Sequence, residues 1–151
     1  MGRARRLWSP GLPYHVIARA NGGGAVFRSR QDYAEFLGLI EGAWEHAGVP
    51  ALAYCLMPNH VHLVLRPEEG QSVSRWMQWL LTRHAVRLNR RCAAMGAVWQ
   101  PRFRGFPIQE DAHLLTVHRY VERNALRAGL VDRAEDWPWG SLAQRGGEAA
   151  P

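Results

Sequence analysis

The stretch YCLMPNHVHLVL, residues 54–65, carries the clearest structural pattern in the sequence. Its composition is typical of a β-strand, in which successive side chains alternate between two faces. Alternation places His60 and His62 on one face, and Val61 and Leu63 on the other. The valine and leucine face is suited to a hydrophobic core. The opposite face presents two imidazoles about 7 Å apart along the strand.

The turn Met57-Pro58-Asn59 precedes this strand and follows another apolar run over 49–57. Two strands joined by so short a link should pair antiparallel. Hydrophobic periodicity predicts the other elements: a strand over 12–20, helices over 29–48 and 71–91, a strand over 99–109 and a helix over 111–128. This order indicates an α+β fold, a ferredoxin-like antiparallel sheet with helices packed on it.

The boundaries of the first helix have clear local causes. Ser29 followed by Asp32 is typical of a capping box, and Gly48 should end the helix. Its predicted inner face consists of Tyr33, Phe36, Leu37, Ile40, Trp44 and Ala47. The predicted inner face of the second helix consists of Val73, Trp76, Met77, Leu80, His84 and Leu88.

Length and charge restrict the class of protein. The 151 residues predict one domain over 1–142, followed by a disordered tail over 143–151. All 19 basic residues are arginine, and the formal net charge of +6 favours a polyanionic partner such as nucleic acid. No apolar run approaches the ~20 residues that span a bilayer, so we expect a cytoplasmic protein without membrane association, bound to the nucleoid when it holds DNA.

The last predicted helix has one apolar stripe and one polar stripe. On a helical wheel, one stripe is apolar and includes Val121 and Ala125. Tyr120 and Asn124 lie one turn apart on the other stripe, accompanied by arginines. The helix should therefore pack one stripe on the sheet and display the tyrosine, the amide and the basic side chains.

Two imidazoles and an amide oxygen can together hold a divalent cation. The mixed nitrogen and oxygen donors of His60, His62 and Asn124 suit Mg²⁺ or Mn²⁺ acting on a phosphate, whereas Zn²⁺ is usual for histidine alone. Tyr120 beside such a cation is a candidate nucleophile. Each residue also has a plainer interpretation: histidines on a half-exposed strand, a packed tyrosine ring and an asparagine that ends a helix.

A second basic stripe runs along the helix over 71–91. Arg75, Trp79, Arg83 and Arg87 follow one another at intervals of four residues. We expect the arginines to contact phosphates, while Trp79 either stacks on a base or caps the core. Further predicted DNA contacts are Arg19, Arg102, Arg104, Arg123 and Arg127.

These motifs together resemble a known family. YCLMPNHVHLVLRP resembles the HUH motif of single-strand DNA transposases, whose signature is His-hydrophobic-His on a strand. RYVERNALRAGLV, followed by WPWGS, resembles the C-terminal signature of the REP-associated tyrosine transposases. PYHVIARANGGGAVF resembles their first strand and loop, so the resemblance covers roughly residues 5–142.

The resemblance implies the HUH endonuclease fold and metal-dependent cleavage and rejoining of single-stranded hairpin DNA through a 5′-phosphotyrosine. It implies His60, His62 and Asn124 as ligands of Mg²⁺ or Mn²⁺, and Tyr120 as the nucleophile. The repetitive palindromic hairpins that this branch acts on are contacted partly by N-terminal residues, which here implies Arg3, Arg5, Arg6 and Trp8. Relatives include monomers and homodimers, and both states stay open.

The segment after the tyrosine departs from the family pattern. The family commonly has Asn-Pro-Val-Arg-Ala-Gly where residues 124–129 read NALRAG, so we expect the helix to continue through 128. Three alternative functions stay open: a related nicking nuclease, a metal-dependent module that binds DNA hairpins without cutting them, and a small zinc hydrolase. A nicking nuclease would be indicated by a second tyrosine, a third histidine or a helicase domain, and the sequence shows none of these signatures. A zinc hydrolase would need an acidic general base near the histidines, and none is evident in the sequence.

Overall fold

The computed structural model describes residues 6–109 and 111–148 and contains a four-stranded antiparallel sheet. The strands are β1 (Tyr14–Arg19), β2 (Ala51–Met57), β3 (His60–Leu65) and β4 (Arg104–Pro107), in the spatial order β2-β3-β1-β4. The helices are α1 (Arg30–Ala47), α2 (Val73–Arg91), α3 (Asp111–Glu122), α4 (Asn124–Arg127) and α5 (Ser141–Glu148). This order of elements and strands confirms the predicted ferredoxin-like α+β fold.

The local signals at the ends of α1 act as predicted. The Ser29 hydroxyl accepts from the Asp32 amide at 3.1 Å, and the Asp32 carboxylate accepts from the Ser29 amide, also at 3.1 Å. Gly48 adopts a left-handed conformation with φ of 74°, and its amide donates to the Trp44 carbonyl at 2.7 Å. These bonds satisfy groups that the helix itself leaves unpaired.

The sheet carries a core on each face. The α1–α2 layer packs against one face, where Val61 and Leu63 of β3 are fully buried with Phe36 and Trp76. α3 and α4 cover the other face over β2 and β3, and Val121 and Ala125 are buried there. β3 is therefore a central strand that is covered on both sides.

Two helical predictions were wrong in detail. Trp44, expected on the inner face of α1, is 57% exposed, because Ala43 takes the buried position beside it. The last helix does not continue through 128: α3 ends at Glu122, and Arg123 has φ of −96° and ψ of 6°. Backbone hydrogen bonds from Arg123 to Arg119 and from Arg127 to Arg123 continue across this point, so it is a bend that leaves Glu122 and Ala125 both buried.

Two predicted boundaries also differ. The strand expected over 99–109 is restricted to β4, because Pro101 lacks the amide hydrogen that a ladder needs and Pro107 ends the strand. Helix α5 occupies part of the segment predicted to be a disordered tail, so the expected domain boundary at 142 falls inside a helix. The side chain of Arg145, which binds Glu122, explains why this segment stays on the domain.

Candidate active site and nucleic-acid interface

His60 and His62 lie on the face of β3 that α3 covers. Their ring centroids are 5.0 Å apart with an angle of 77° between the ring planes. His62 is buried, with 4% of its surface exposed, and His60 at the start of the strand is half-buried. The alternation of β3 therefore brings the two imidazoles together as predicted.

Each imidazole has one ring nitrogen held by a neighbouring side chain. Nδ1 of His62 lies 3.0 Å from Nε2 of His15, and Nδ1 of His60 lies 2.7 Å from Oδ1 of Asn59. Because the Asn59 oxygen can only accept, the hydrogen of His60 sits on Nδ1 and leaves a lone pair on Nε2. Histidines that bind metals usually have their second nitrogen held in this way.

Burial keeps these histidines neutral. It lowers the pKa of His62 to about 3, and the charges of His60, His15, Arg19 and Arg127 add to the effect. Burial also lowers the pKa of His60, helped by Arg19, and the pKa of His15. A neutral imidazole has the lone pair that a metal ligand needs.

Tyr120, in the last turn of α3, lies against His62 and His15. Its ring centroid lies 6.0 Å from that of His62 and 6.0 Å from that of His15, in edge-to-face arrangements. The Arg127 guanidinium carbon lies 4.0 Å from the centroid of the Tyr120 ring. Tyr120 is 41% exposed, so a substrate can reach it from solvent.

Asn124 and Arg123 lie at the bend that follows α3. Asn124 is the first residue of α4 and is half-buried, and its carbonyl accepts from the Ala128 amide at 3.0 Å. Within 6–109 and 111–148, no three histidine, cysteine, aspartate or glutamate side chains cluster as a metal site would require. A metal held by His60 and His62 would therefore need a third ligand of another kind, and the amide oxygen of Asn124 is the one that the sequence predicts.

The residues present fit a divalent cation of mixed ligation. The two neutral imidazoles, whose Nδ1 atoms contact His15 and Asn59, can supply nitrogen donors. Asn124, four residues after the tyrosine, can supply an oxygen donor. Such a set suits Mg²⁺ or Mn²⁺ that also coordinates phosphate oxygens. The role of Asn124 as the third ligand stays a prediction.

His15 is the site residue that sequence reasoning missed. The HUH resemblance does not single it out, yet it contacts both His62 and Tyr120. Two signals could have found it. Alternation on β1 sends His15 away from the buried Tyr14, and antiparallel pairing sets Ile17 opposite His62 on the same face.

Several predicted DNA-contacting arginines share the Tyr120 face. Arg19 pairs with His60 in the β1–β3 register, and Arg104 pairs with Ile17 in the β1–β4 register. Cross-strand partners project to the same face, so both arginines flank the histidines. Arg102 is exposed just before β4.

The N-terminal residues border a separate groove of about 890 Å³ beside β4. Arg6 donates to the Phe103 carbonyl, and its guanidinium carbon lies 4.2 Å from the centroid of the Phe103 ring. The Trp8 ring stacks on Phe103 with centroids 6.1 Å apart. The other predicted N-terminal contacts, Arg3 and Arg5, lie outside the described residues.

The α2 stripe does not join the Tyr120 face, because α2 packs on the opposite side of the sheet. Trp79 is held between the His46 ring at 5.6 Å and the Arg83 guanidinium at 4.6 Å, and a Cβ at Gly42 would come within 2.5 Å of its ring. Packing on α1 therefore accounts for Trp79. Arg87 lies 3.9 Å from Glu35, while Arg75 is exposed.

The fold and the site together define a class of protein. Proteins of this class contain an antiparallel α+β domain in which a central strand presents a pair of histidines, and a tyrosine on a following helix lies against one of them. The sequence model of the family described as "Transposase IS200 like" matches residues 9–124. The chain belongs to the IS200-like transposase family.

Individual relatives agree with this assignment. A REP-associated tyrosine transposase of Haemophilus influenzae is 26% identical over 118 residues, which cover 72% of this chain and 67% of that protein. A REP-associated tyrosine transposase solved bound to a REP hairpin has the same fold, with a TM-score of 0.77 at 19% identity, covering 95% of this chain and 84% of that one. A transposase from Deinococcus radiodurans has a TM-score of 0.55 at 18% identity, and the match covers 82% of this chain and 97% of that one.

None of the helices within 6–109 and 111–148 combines the length and apolar character needed to cross a membrane.

Proposed function

We propose that this chain is a REP-associated tyrosine transposase that cleaves and rejoins single-stranded DNA at hairpins. The observation that carries the proposal is the position of the Tyr120 ring, 6.0 Å from the buried His62 ring and within reach of solvent. The relative bound to a REP hairpin supports the choice of substrate. Membership of a transposase family supports the reaction class.

In the proposed reaction, the Tyr120 oxygen attacks the scissile phosphorus. The bond from phosphorus to the 3′ oxygen breaks, the departing strand takes up a proton as a 3′-OH, and the 5′ phosphate stays on Tyr120. A 3′-OH then attacks this phosphotyrosine, which reseals the DNA and returns the tyrosine. No nucleotide cofactor is needed, because the protein–DNA bond retains the energy of the phosphodiester.

The reaction requires the tyrosine to lose its proton. A nearby positive charge stabilises the negative charge that then develops on the tyrosine oxygen. Arg127, 4.0 Å from the ring centroid of Tyr120, can supply that charge. Arg123, which the sequence predicts as a DNA contact, is exposed at the bend and is available for flanking phosphates.

His60 and His62 would hold a divalent cation through their Nε2 atoms, with Asn124 as the predicted third ligand. When bound, Mg²⁺ or Mn²⁺ would neutralise charge on the scissile phosphate and polarise its bonds. His15 would fix the orientation and tautomer of His62 through the contact of 3.0 Å. Arg19 and Arg104 would bind the backbone on either side, so added salt should weaken DNA binding.

The decisive experiment is a denaturing gel of the protein with labelled single-stranded hairpin DNA from beside its own gene, in the presence of Mn²⁺. We expect a slower, protease-sensitive labelled band for the wild type and none for Tyr120→Phe. Tyr33→Phe is the matched control, because Tyr33 belongs to the core on the other face of the sheet. Adduct formation by Tyr120→Phe would contradict the assignment of the nucleophile.

A non-cutting module that binds DNA hairpins is the second candidate. The segment after Asn124, where the family proline is replaced by Ala125, favours it. Metal addition separates the two functions. Mn²⁺ that raises hairpin affinity without any adduct or cleavage product, across several hairpins, would favour the module and exclude the proposed chemistry.

A further inference from the structure

The face of α3 turned away from Tyr120 carries a buried polar cluster that the proposed reaction does not use. Glu122, the last residue of α3, has only 7% of its surface exposed. Its carboxylate accepts from the Ser141 hydroxyl at 2.6 Å and from both terminal nitrogens of Arg145, one of them at 2.6 Å. Nε2 of His118 lies 3.2 Å from the same carboxylate.

Ser141 connects this cluster to the edge of the sheet. Its hydroxyl accepts from the Tyr54 amide at 3.0 Å and lies 3.2 Å from the Tyr54 carbonyl. The segment before it also lies along β2, where the Leu56 amide donates to the Trp139 carbonyl at 2.9 Å and Trp137 Nε1 donates to the Leu56 carbonyl at 2.9 Å. The cluster therefore joins the end of α3 to a fixed strand and to α5.

The position of Glu122 on the helix relates it to the nucleophile. At about 100° per residue, Tyr120 and Glu122 project to opposite sides of Val121, which packs on the sheet between them. Side chains extend about 5–6 Å from the helix axis, so a 20° roll of α3 would move the Tyr120 ring by about 2 Å.

Between Tyr120 and Glu122, the contact of the helix with the sheet is apolar. Small or flexible side chains on β2 and β3 lie beneath Val121 and Ala125, including Ala53, Cys55 and Met57. Apolar burial is not directional, so it opposes rolling of the helix only weakly. The paired Arg145–Glu122 contact fixes both distance and direction.

We infer that Glu122, Ser141 and Arg145 form a latch that fixes the roll of α3 and thereby holds Tyr120 over His62. This inference rests on the proposed function, because it assigns positioning residues to that reaction. Burial alone would raise the pKa of Glu122, but hydrogen bonds from Arg145 and Ser141 outweigh it, so the carboxylate stays ionised. Loss of Arg145 leaves that charge buried without its partner.

The test compares Arg145→Ala with Arg133→Ala. Arg133 belongs to the same C-terminal region and pairs with Glu135 at the surface, so its replacement removes the same charge and one ion pair outside the latch. Hydrogen exchange of the amides in 113–122, measured on protein without DNA, should be at least about tenfold faster in Arg145→Ala and unchanged in Arg133→Ala. Equal exchange in the two variants would overturn the latch.

The second readout separates positioning from binding. At saturating hairpin DNA and Mn²⁺, adduct formation by Arg145→Ala should be on the order of 10²-fold slower, since a shift of about 1 Å at a reacting group has effects of that size. The hairpin Kd should change by less than about threefold, because Arg145 lies on α5 beside the edge strand β2 and its guanidinium is bound to Glu122. A change in Kd with an unchanged rate would make Arg145 a DNA contact and overturn the inference.

Two further variants keep the test independent of global unfolding. Arg145→Lys retains the charge but loses the paired geometry, so it should give intermediate exchange and an intermediate rate. Ser141→Ala removes one hydroxyl and should act in the same direction. Absence of any adduct in the wild type would overturn the proposed function, whereas the exchange measurement decides about the latch separately.

Discussion

The two faces of the sheet each bury a histidine, and the two histidines differ in access. His84 of α2 is 1% exposed and lies among aromatic rings, with the Phe36 ring centroid at 5.0 Å and Trp99 Nε1 donating to its Nδ1 at 3.0 Å. His62 of β3 is 4% exposed, but the residue above it, Tyr120, is half open to solvent.

Burial lowers the pKa of both histidines, to about 4 for His84 and about 3 for His62. A lowered pKa therefore does not distinguish the candidate active site from the core. The distinction comes from neighbours and access, because His62 has a second histidine, an exposed tyrosine and arginines around it.

Phe36→Ala should cause the largest loss, because it opens a cavity in the aromatic core around His84. We expect the free energy of unfolding to fall by about 3–5 kcal/mol. Trp44→Ala on the same helix is the control, since its 57% exposed side chain should change stability by less than about 1 kcal/mol. Denaturant unfolding of both variants measures the difference, and similar losses would contradict the assigned faces of α1.

His84 should make stability depend on pH. Its pKa of about 4 in the folded chain is below the usual 6.5, so the unfolded chain binds the proton more tightly. Its contribution is complete above pH 6.5 and is lost as pH falls towards 4, by about 2–3 kcal/mol. Unfolding measured over this range should show a flatter profile for His84→Gln than for the wild type.

His46→Gln serves as the control for that profile, because His46 is exposed on α1. It should retain the slope of the wild type. A slope in His84→Gln that equals the slope of this control would place the titrating groups elsewhere, among them His62, whose lowered pKa acts in the same direction.

His62→Gln should separate function from stability. His62 lies beneath the half-exposed Tyr120 rather than in the closed aromatic core, so we expect the free energy of unfolding to change by only about 1 kcal/mol. Adduct formation and Mn²⁺ binding, followed by calorimetry, should both be lost. Retention of Mn²⁺ affinity in a folded His62→Gln variant would exclude His62 as a ligand.

Arg127→Ala should have the smallest effect on stability. The contact with the Tyr120 ring is at the surface and is worth about 0.5–1 kcal/mol. Because Arg127 lies against the Tyr120 ring, its loss should slow adduct formation at saturating hairpin DNA. Arg119→Ala, an exposed change on α3, is the control. An unchanged rate at saturating DNA, together with weaker hairpin binding, would restrict Arg127 to phosphate binding.

The sequence alone determined the fold and the core of the site. Alternation in residues 60–65 separated the histidines from Val61, Leu63 and Leu65, since a strand has a period of two. Capping at Ser29 and Gly48 and helical periodicity gave the elements and their order. Helical periodicity placed Tyr120 on the stripe opposite the apolar residues, and its ring does lie against His62.

Only the tertiary structure decided which distant side chains meet. His15 reaches His62 because β1 and β3 pair antiparallel in one register, and Trp79 is packed on Gly42 because α2 lies on α1. The bend at Arg123 and the binding of Arg145 to Glu122 depend on where α3 and α5 meet β2. Local periodicity reports which face of an element is apolar, but contacts between elements depend on register and packing, which no single segment encodes.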